Sequence, residues 1–374
     1  MPPGWLPAHG RIRTLADRVR PDLLARSLPL TAPLATAAGT VRTRMVWVVR
    51  ISHDGLIGVG EAAPLPGFGG ESPGACAEAL LAAVELLTPE FISGWINRGR
   101  TDAPLGEVEK VLAHAPCARS AVEGALLDLL AQAGGVPVAE LLNPDFTPWV
   151  PVNALLGATD GDDLAHALVA GGFGTLKLKL LGEVAEDAAR LRSLRSHLGP
   201  DVRLRVDANG RWTLDQAAAF AAAVADLNLE YCEQPLPADD LAGMAQLRRR
   251  TRLPIAADES IRNATDVGRV AAAQAADVVV LKPMFLGGWR PTRQAVQVAR
   301  SCGMEVVLTT ALDGAIGRAH ATHIAAALGL EGRAQGLATG ELLAEDLTTE
   351  PLAMSGGDIA IHNRPGLGIG GMKG

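Results

Sequence analysis

The sequence predicts an α/β protein, a parallel barrel preceded by an α+β region, and three observations carry that prediction. Beyond Pro151, short apolar runs alternate with Ala-rich helical stretches, the texture of repeated βα units around a parallel sheet. Leu155-Leu156-Gly157-Ala158 after the first run is not the Gly-rich turn that an open doubly wound sheet usually carries. Charged residues also recur at nearly constant intervals at the ends of the runs, as expected of side chains at one rim of a barrel.

Taken along the chain, the first predicted element is a hairpin over Val41 to Gly60, rich in β-branched residues and punctuated by Asp54-Gly55, a strong turn dipeptide. A Pro/Gly-rich loop, Ala63 to Gly70, leads to helices over roughly Pro73 to Leu87 and Pro116 to Gly134. In the second helix Ala118, Ala121, Val122, Ala125, Leu126, Leu129 and Leu130 fall at helical spacing, and Gly134-Gly135 stops it. The barrel strands follow at Val152 to Leu155, Thr175 to Leu180, Val202 to Asp207, Leu229 to Glu233, Ile255 to Asp258, Val278 to Lys282, Val306 to Thr310 and Gly336 to Thr339. The last thirty or so residues lose the alternation, end in Arg364-Pro365-Gly366-Leu367-Gly368, and are expected to return to the first region. The expected division is therefore 1–115, completed by 345–374, over a barrel of 116–344.

Composition narrows the function. With 374 residues, 48% hydrophobic and 20% charged, the chain reads as a folded protein of two compact units or of one large barrel with an appendage. A net charge of -7 argues against nucleic-acid binding, and Arg248, Arg249, Arg250 and Arg252 read as a solvated helix end rather than a phosphate site. Four distant cysteines (Cys76, Cys117, Cys232, Cys302) without metal spacing are expected to be reduced thiols of a cytoplasmic protein. No run approaches the roughly 18 apolar residues of a membrane span and the first twenty residues hold no apolar run, so the protein is expected to be neither exported nor membrane-embedded. A homo-oligomer is compatible with these features, which do not fix the oligomeric state.

The spacing supplies the chemistry. Lys179, Asp207, Glu233, Asp258 and Lys282 lie 28, 26, 25 and 24 residues apart, each interval about one βα unit. Three carboxylates facing one cavity repel and resist desolvation, so a cation must sit among them. An all-oxygen set open to substrate favours Mg²⁺, with Mn²⁺ as a chemically similar substitute, over the alternative that the acids merely pair with nearby lysines or arginines. Asn209, two residues past Asp207, either extends the site or forms a turn. Lys177 and Lys179 alternate with leucines and so share the interior face. In an eight-stranded barrel, strands two and six are opposed, which sets Lys179 and Lys282 across the cavity on either side of a bound carboxylate's α-carbon. A nearby ammonium, Lys177, and a divalent cation are expected to favour the neutral amine that a base requires. Lysine is rare here, five residues among 34 basic ones, and arginine cannot serve as a general base near neutral pH.

These residues resemble those of the enolase superfamily, in the branch of the muconate lactonizing enzymes. Thr175-Leu176-Lys177-Leu178-Lys179 is similar to its K-x-K strand. Val206-Asp207-Ala208-Asn209, Glu233-Gln234-Pro235 and Asp258-Glu259-Ser260 are similar to its metal-binding segments, and Leu281-Lys282-Pro283 to its opposing lysine. The resemblance implies a modified TIM barrel of (β/α)7β type under an α+β capping domain. Thr309-Thr310-Ala311-Leu312-Asp313 lacks the histidine of the mandelate-racemase branch. The segment Gly60 to Ser72, with Phe68 inside it, is similar to the cap segment of o-succinylbenzoate synthases, which implies dehydration of 2-succinyl-6-hydroxy-2,4-cyclohexadiene-1-carboxylate in menaquinone synthesis. In that reading Lys179 is the base, Lys282 stabilises the enediolate, Lys177 assists, and Asp207, Glu233 and Asp258 hold Mg²⁺. Phe68, Thr309, Thr310 and Asn209 would touch the substrate, although threonines stand where that family often shows serines. An amino-acid or dipeptide racemase of the same branch uses the same lysines, and a non-catalytic barrel is the remote alternative. His320 and His323, three apart on one helical stretch, read as packing or surface residues, and Glu61 as structural.

Overall fold

The computed structural model describes residues 11–12, 20–36, 39–67 and 70–373. Strands β1 (Arg11–Ile12), β2 (Arg20–Thr36), β3 (Gly39–His53) and β4 (Leu56–Ala62) form an antiparallel sheet in that order. The β3–β4 turn is the expected one: Asp54 and Gly55 take φ of 48° and 82°, both positive as a type I′ turn demands. Strand β2 departs from the sequence reading, which began the hairpin at Val41. Pro21, Pro29 and Pro33 hide it, since proline cannot donate to a ladder, and the β2–β3 register shifts between Pro29 and Leu34.

Helices α1 (Pro73–Leu86), α2 (Pro89–Arg98), α3 (Glu107–Val111), α4 (Pro116–Gly134) and α5 (Val138–Leu142) follow. Each of α1, α2 and α4 starts with proline at its first turn, and Gly135 ends α4 at φ 70°. The α4 helix is buried on nearly all sides because β4 lies directly on it. That approach requires glycine: a Cβ on Gly60 would stand 1.9 Å from the Ala121 carbonyl oxygen, and one on Gly58 2.1 Å from that of Ala125.

After β5 (Trp149–Pro151) the alternation begins: β6 (Ala154–Leu156), α6 (Asp162–Ala170), β7 (Thr175–Lys179), α7 (Val184–Leu198), β8 (Arg203–Asp207), α8 (Leu214–Ala223) and β9 (Tyr231–Glu233). It continues with α9 (Leu241–Arg250), β10 (Ile255–Ala257), α10 (Ala264–Ala273), β11 (Val278–Leu281), α11 (Pro283–Leu286), α12 (Trp289–Ser301), β12 (Glu305–Leu308) and α13 (Ala315–Ala327). Strands β6 to β12 make one parallel sheet in sequential order. The eighth run, expected over Gly336 to Thr339, is not a full strand. Gln335 bridges Val152 and Gly336 bridges Thr309, so two residues close the gap between the sheet's ends. The arginine run ends α9 as expected, with Arg248 paired to Asp277. Strands β13 (Thr348–Glu350) and β16 (Gly370–Met372) pair with each other, and β14 (Met354–Ser355) and β15 (Asp358–Ala360) join β5. The four cysteines are unpaired, and no helix among the described residues is long and apolar enough to cross a membrane.

Candidate active site

Backbone register sets the predicted charges at one height. Lys179 pairs with Asp207 across β7 and β8, and Asp207 with Glu233 across β8 and β9. Asp258 and Lys282 each follow their strand by one residue, Lys282 as the N-cap of α11. Leu176 and Leu178 are fully buried, while Lys177 and Lys179 line a cavity at the strands' C-terminal ends. Asp207, Glu233, Asp258, Asn209 and Lys282 line the same cavity.

Inside it the ammonium groups lie on the acids. The Lys179 Nζ donates to Asp207 Oδ2 at 2.6 Å and to Asn209 Oδ1 at 2.9 Å, and Lys177 stands 3.0 Å from the same Asp207 oxygen. Lys177 also pairs with Glu233, and Lys282 with Asp258. Burial works against an ionised Asp207, but the charges of Lys177 and Lys179 prevail and hold its carboxyl far below the usual range. Glu233 goes the other way, raised by burial and by the neighbouring charge of Asp207. Burial alone would depress the Lys177 and Lys282 ammoniums, yet the facing carboxylates push both upward.

Among the described residues no three acids, imidazoles or thiols converge as a bare metal cage, because the lysines are interleaved with the acids. The donor set nevertheless fits a hard divalent cation. Its three carboxylates come from successive strands, and Glu233 Oε2 is buried without a hydrogen-bond partner.

Thr309 and Thr310 also line the cavity. The Thr309 hydroxyl donates to the Gly336 carbonyl at 2.9 Å, whereas Thr310 and Thr339 pair hydroxyl to hydroxyl at 2.8 Å, leaving one O–H of that pair free to donate. Asn209 has φ 50° and so serves the turn, while its side chain also bonds Lys179 and Glu259. Phe68 lies outside the described residues.

Several supporting residues escaped the sequence reading. Gln234 ties the second and third acidic segments together: its Oε1 accepts from Asp258 N at 3.0 Å and Ser260 N at 3.2 Å, and its Nε2 donates to Leu236 O. Burial and the charge of Asp258 raise Glu259 to about 7. Its position between Asp258 and Ser260 was the available signal. Glu61 is structural as expected, but over a long range. From β4 its carboxylate accepts from Gly314 N at 2.6 Å and Gly317 N at 2.8 Å, capping the start of α13.

His320 and His323 are buried packing residues. Gly124 makes room for His320, since a Cβ there would stand 2.6 Å from the ring Nε2. His323 Nδ1 accepts from Ala139 N at 3.0 Å and Nε2 contacts the Leu367 carbonyl at 3.1 Å, which assigns the proton to Nε2. Burial holds this imidazole neutral, lowered from 6.5 to about 4. A depressed folded-state value means that its stability contribution is complete above pH 6.5 and is lost as pH falls toward 4. His323→Leu, which orphans both groups, is therefore expected to cost roughly 2–4 kcal/mol at pH 7. The gap to wild type should narrow by roughly 1.4 kcal/mol per pH unit below 6.5 in urea titrations. A gap independent of pH would show that this ring does not resist protonation.

Comparison with known proteins agrees with the geometry. The family "Enolase C-terminal domain-like" matches residues 161–371, and "Mandelate racemase / muconate lactonizing enzyme, N-terminal domain" matches residues 22–143. An o-succinylbenzoate synthase of Thermobifida fusca is 42% identical over 206 residues, 54% of this chain and only 63% of that enzyme's length. The L-Ala-D/L-Glu epimerase of Bacillus subtilis is 30% identical over 92% of this chain and 94% of its own. The crystal structure of the Enterococcus faecalis dipeptide epimerase, complexed with Mg and the dipeptide L-Leu-L-Tyr, superposes with a TM-score of 0.83 at 28% identity, covering 94% of this chain and 99% of that one. The barrel, the covering sheet and the rim of lysines and acids thus coincide with two family matches spanning most of the sequence, and the chain belongs to the enolase superfamily, in its muconate-lactonizing-enzyme-like branch.

Proposed function

We propose that this protein is an o-succinylbenzoate synthase, converting 2-succinyl-6-hydroxy-2,4-cyclohexadiene-1-carboxylate to 2-succinylbenzoate and water, a step of menaquinone synthesis. The observation that carries the choice is the charge of the cavity wall. Among the described lining residues every carboxylate belongs to the lysine-paired set Asp207, Glu233 and Asp258. The remaining wall is apolar, from Leu65, Leu155, Ala311, Leu312 and Ala338, or carries the neutral polar groups of Asn153, Asn209, Thr309, Thr310 and Thr339. Such a wall suits a carbon ring with an uncharged or acidic appendage. It offers a free dipeptide ammonium no counter-charge, and a buried unpaired ammonium is costly.

In this reading Lys179 removes the proton α to the substrate carboxylate and returns it to the departing hydroxyl, so that the C–H and C–O bonds break and water leaves. Lys282, beyond the acids on the opposite wall, remains an ammonium and offsets the charge developing on the carboxylate. Asp207, Glu233 and Asp258 would hold Mg²⁺, which when bound supplies further compensation for that charge. Lys177 keeps Asp207 and Glu233 in place, and the free hydroxyl of the Thr310–Thr339 pair is available to the succinyl group. Residues 1–115 with 345–374 would form the cap over this catalytic barrel of 116–344.

A second reading is N-succinylamino acid racemisation, favoured by the lysines on two sides of the cavity and equally free of an ammonium requirement. Following ultraviolet absorbance of the cyclohexadiene acid, beside α-proton exchange of N-succinyl amino acids and free dipeptides in D₂O, separates the two. Dehydration, with no exchange of free dipeptides, is the expected result. Exchange of N-succinyl amino acids without dehydration would replace the synthase by the racemase.

A further inference from the structure

We propose that Arg44, a residue of the covering sheet, is a positioning residue that sets which carbon framework the cavity admits, by fixing Leu65 from one side and Leu312 from the other. The inference rests on the assignment of this cavity as the active site and not on which reaction runs there.

Arg44 is 2% exposed and lies in β3. Its guanidinium donates to three backbone carbonyls on two segments: Ala63 at 2.5 Å, Pro64 at 3.0 Å and Leu312 at 3.4 Å. The first two immediately precede Leu65, and Leu65 and Leu312 both line the cavity. One planar fork thus joins a wall from the covering region to a wall from the barrel. A lysine, with a single nitrogen, cannot reproduce that spread.

Leu312 itself sits at φ 62°, a conformation an L side chain holds only where its surroundings impose it. Those surroundings are present. The Ala311 N–H donates to Asp313 Oδ1 at 3.1 Å, and the Arg318 Nη1 donates to the Asp313 carbonyl at 2.8 Å. Glu61 fixes the next turn through Gly314 and Gly317. Burial weighs against the Arg44 cation and lowers its pKa, and the facing charges of Asp313 and Glu61 offset that in part, with no group taken from the cavity. Strain at a cavity wall, imposed by a network that reaches back to β3 and β4, is what a specificity-setting position requires.

The test compares Arg44→Lys and Leu312→Gly with wild type on a panel of the cyclohexadiene acid and N-succinyl amino acids of graded side-chain size. The reference is whichever substrate the wild type turns over, so failure of the synthase reading appears in the wild type and failure of this proposal only in the variants. Both variants are expected to raise KM for the reference about tenfold while kcat stays within about threefold, the signature of lost positioning rather than lost chemistry. Both should also shift relative kcat/KM toward the larger N-succinyl substrates. Glycine accepts φ 62° freely, so Leu312→Gly keeps the fold and decides the matter if Arg44→Lys does not fold. Unchanged KM and unchanged substrate ranking in Leu312→Gly would overturn the proposal. So would a fall in kcat equal to the rise in KM for a folded Arg44→Lys.

Discussion

Lys179→Arg is expected to leave a folded protein with turnover reduced by at least the ~10²–10⁴ attributable to a general base. The fold should survive because the replacement keeps a cation beside Asp207 Oδ2 and Asn209 Oδ1, the partners that Lys179 holds at 2.6 and 2.9 Å. The chemistry should not survive, because a guanidinium does not release its proton near neutral pH. Circular dichroism and thermal melting would confirm the fold, and steady-state rates the loss. A folded variant retaining a tenth or more of the activity would remove Lys179 as the base.

Glu233→Gln should separate metal binding from folding. Glu233 is buried, one of its oxygens lacks a partner, and burial with the charge of Asp207 makes its ionised form costly in the metal-free protein. An amide of the same shape removes that cost and also removes an anionic ligand. Metal-free stability is therefore expected to change little, while activity falls by several orders of magnitude. In wild type, Mg²⁺ at a hundred times its Kd should add roughly 2.7 kcal/mol of stability. That increment should vanish in the variant. A variant stabilised by Mg²⁺ as strongly as wild type would show that Glu233 is not a ligand.

Much of the rim was legible in the sequence because a βα repeat has a nearly fixed length. Spacing alone placed Lys179, Asp207 and Glu233 at one height, and the strand register agrees. Alternation with Leu176 and Leu178 likewise oriented Lys177 and Lys179. The hairpin turn and the limits of α1 and α4 followed from Asp54-Gly55, the prolines at the helix starts and Gly135. Other features resisted for identifiable reasons. Strand β2 has three prolines, a pattern that argues against a strand until an irregular pairing accommodates it. The closing segment Gln335–Gly336 is too short to carry periodicity. Arg44, Glu61 and Gln234 act on segments distant in sequence or on backbone groups, which no local pattern reveals. The interleaving of lysines with acids is also a three-dimensional fact, since spacing shows that these charges share a rim but not which ammonium rests on which carboxylate.

The most direct test is a Mg²⁺ titration of the purified, metal-stripped protein acting on 2-succinyl-6-hydroxy-2,4-cyclohexadiene-1-carboxylate, with formation of the aromatic product followed by ultraviolet absorbance. The predicted result is no dehydration in chelator and a rate that rises and saturates with Mg²⁺ in wild type, with no recovery in Lys179→Arg. Mg²⁺-saturated wild-type protein that leaves the cyclohexadiene acid unchanged would contradict the assignment.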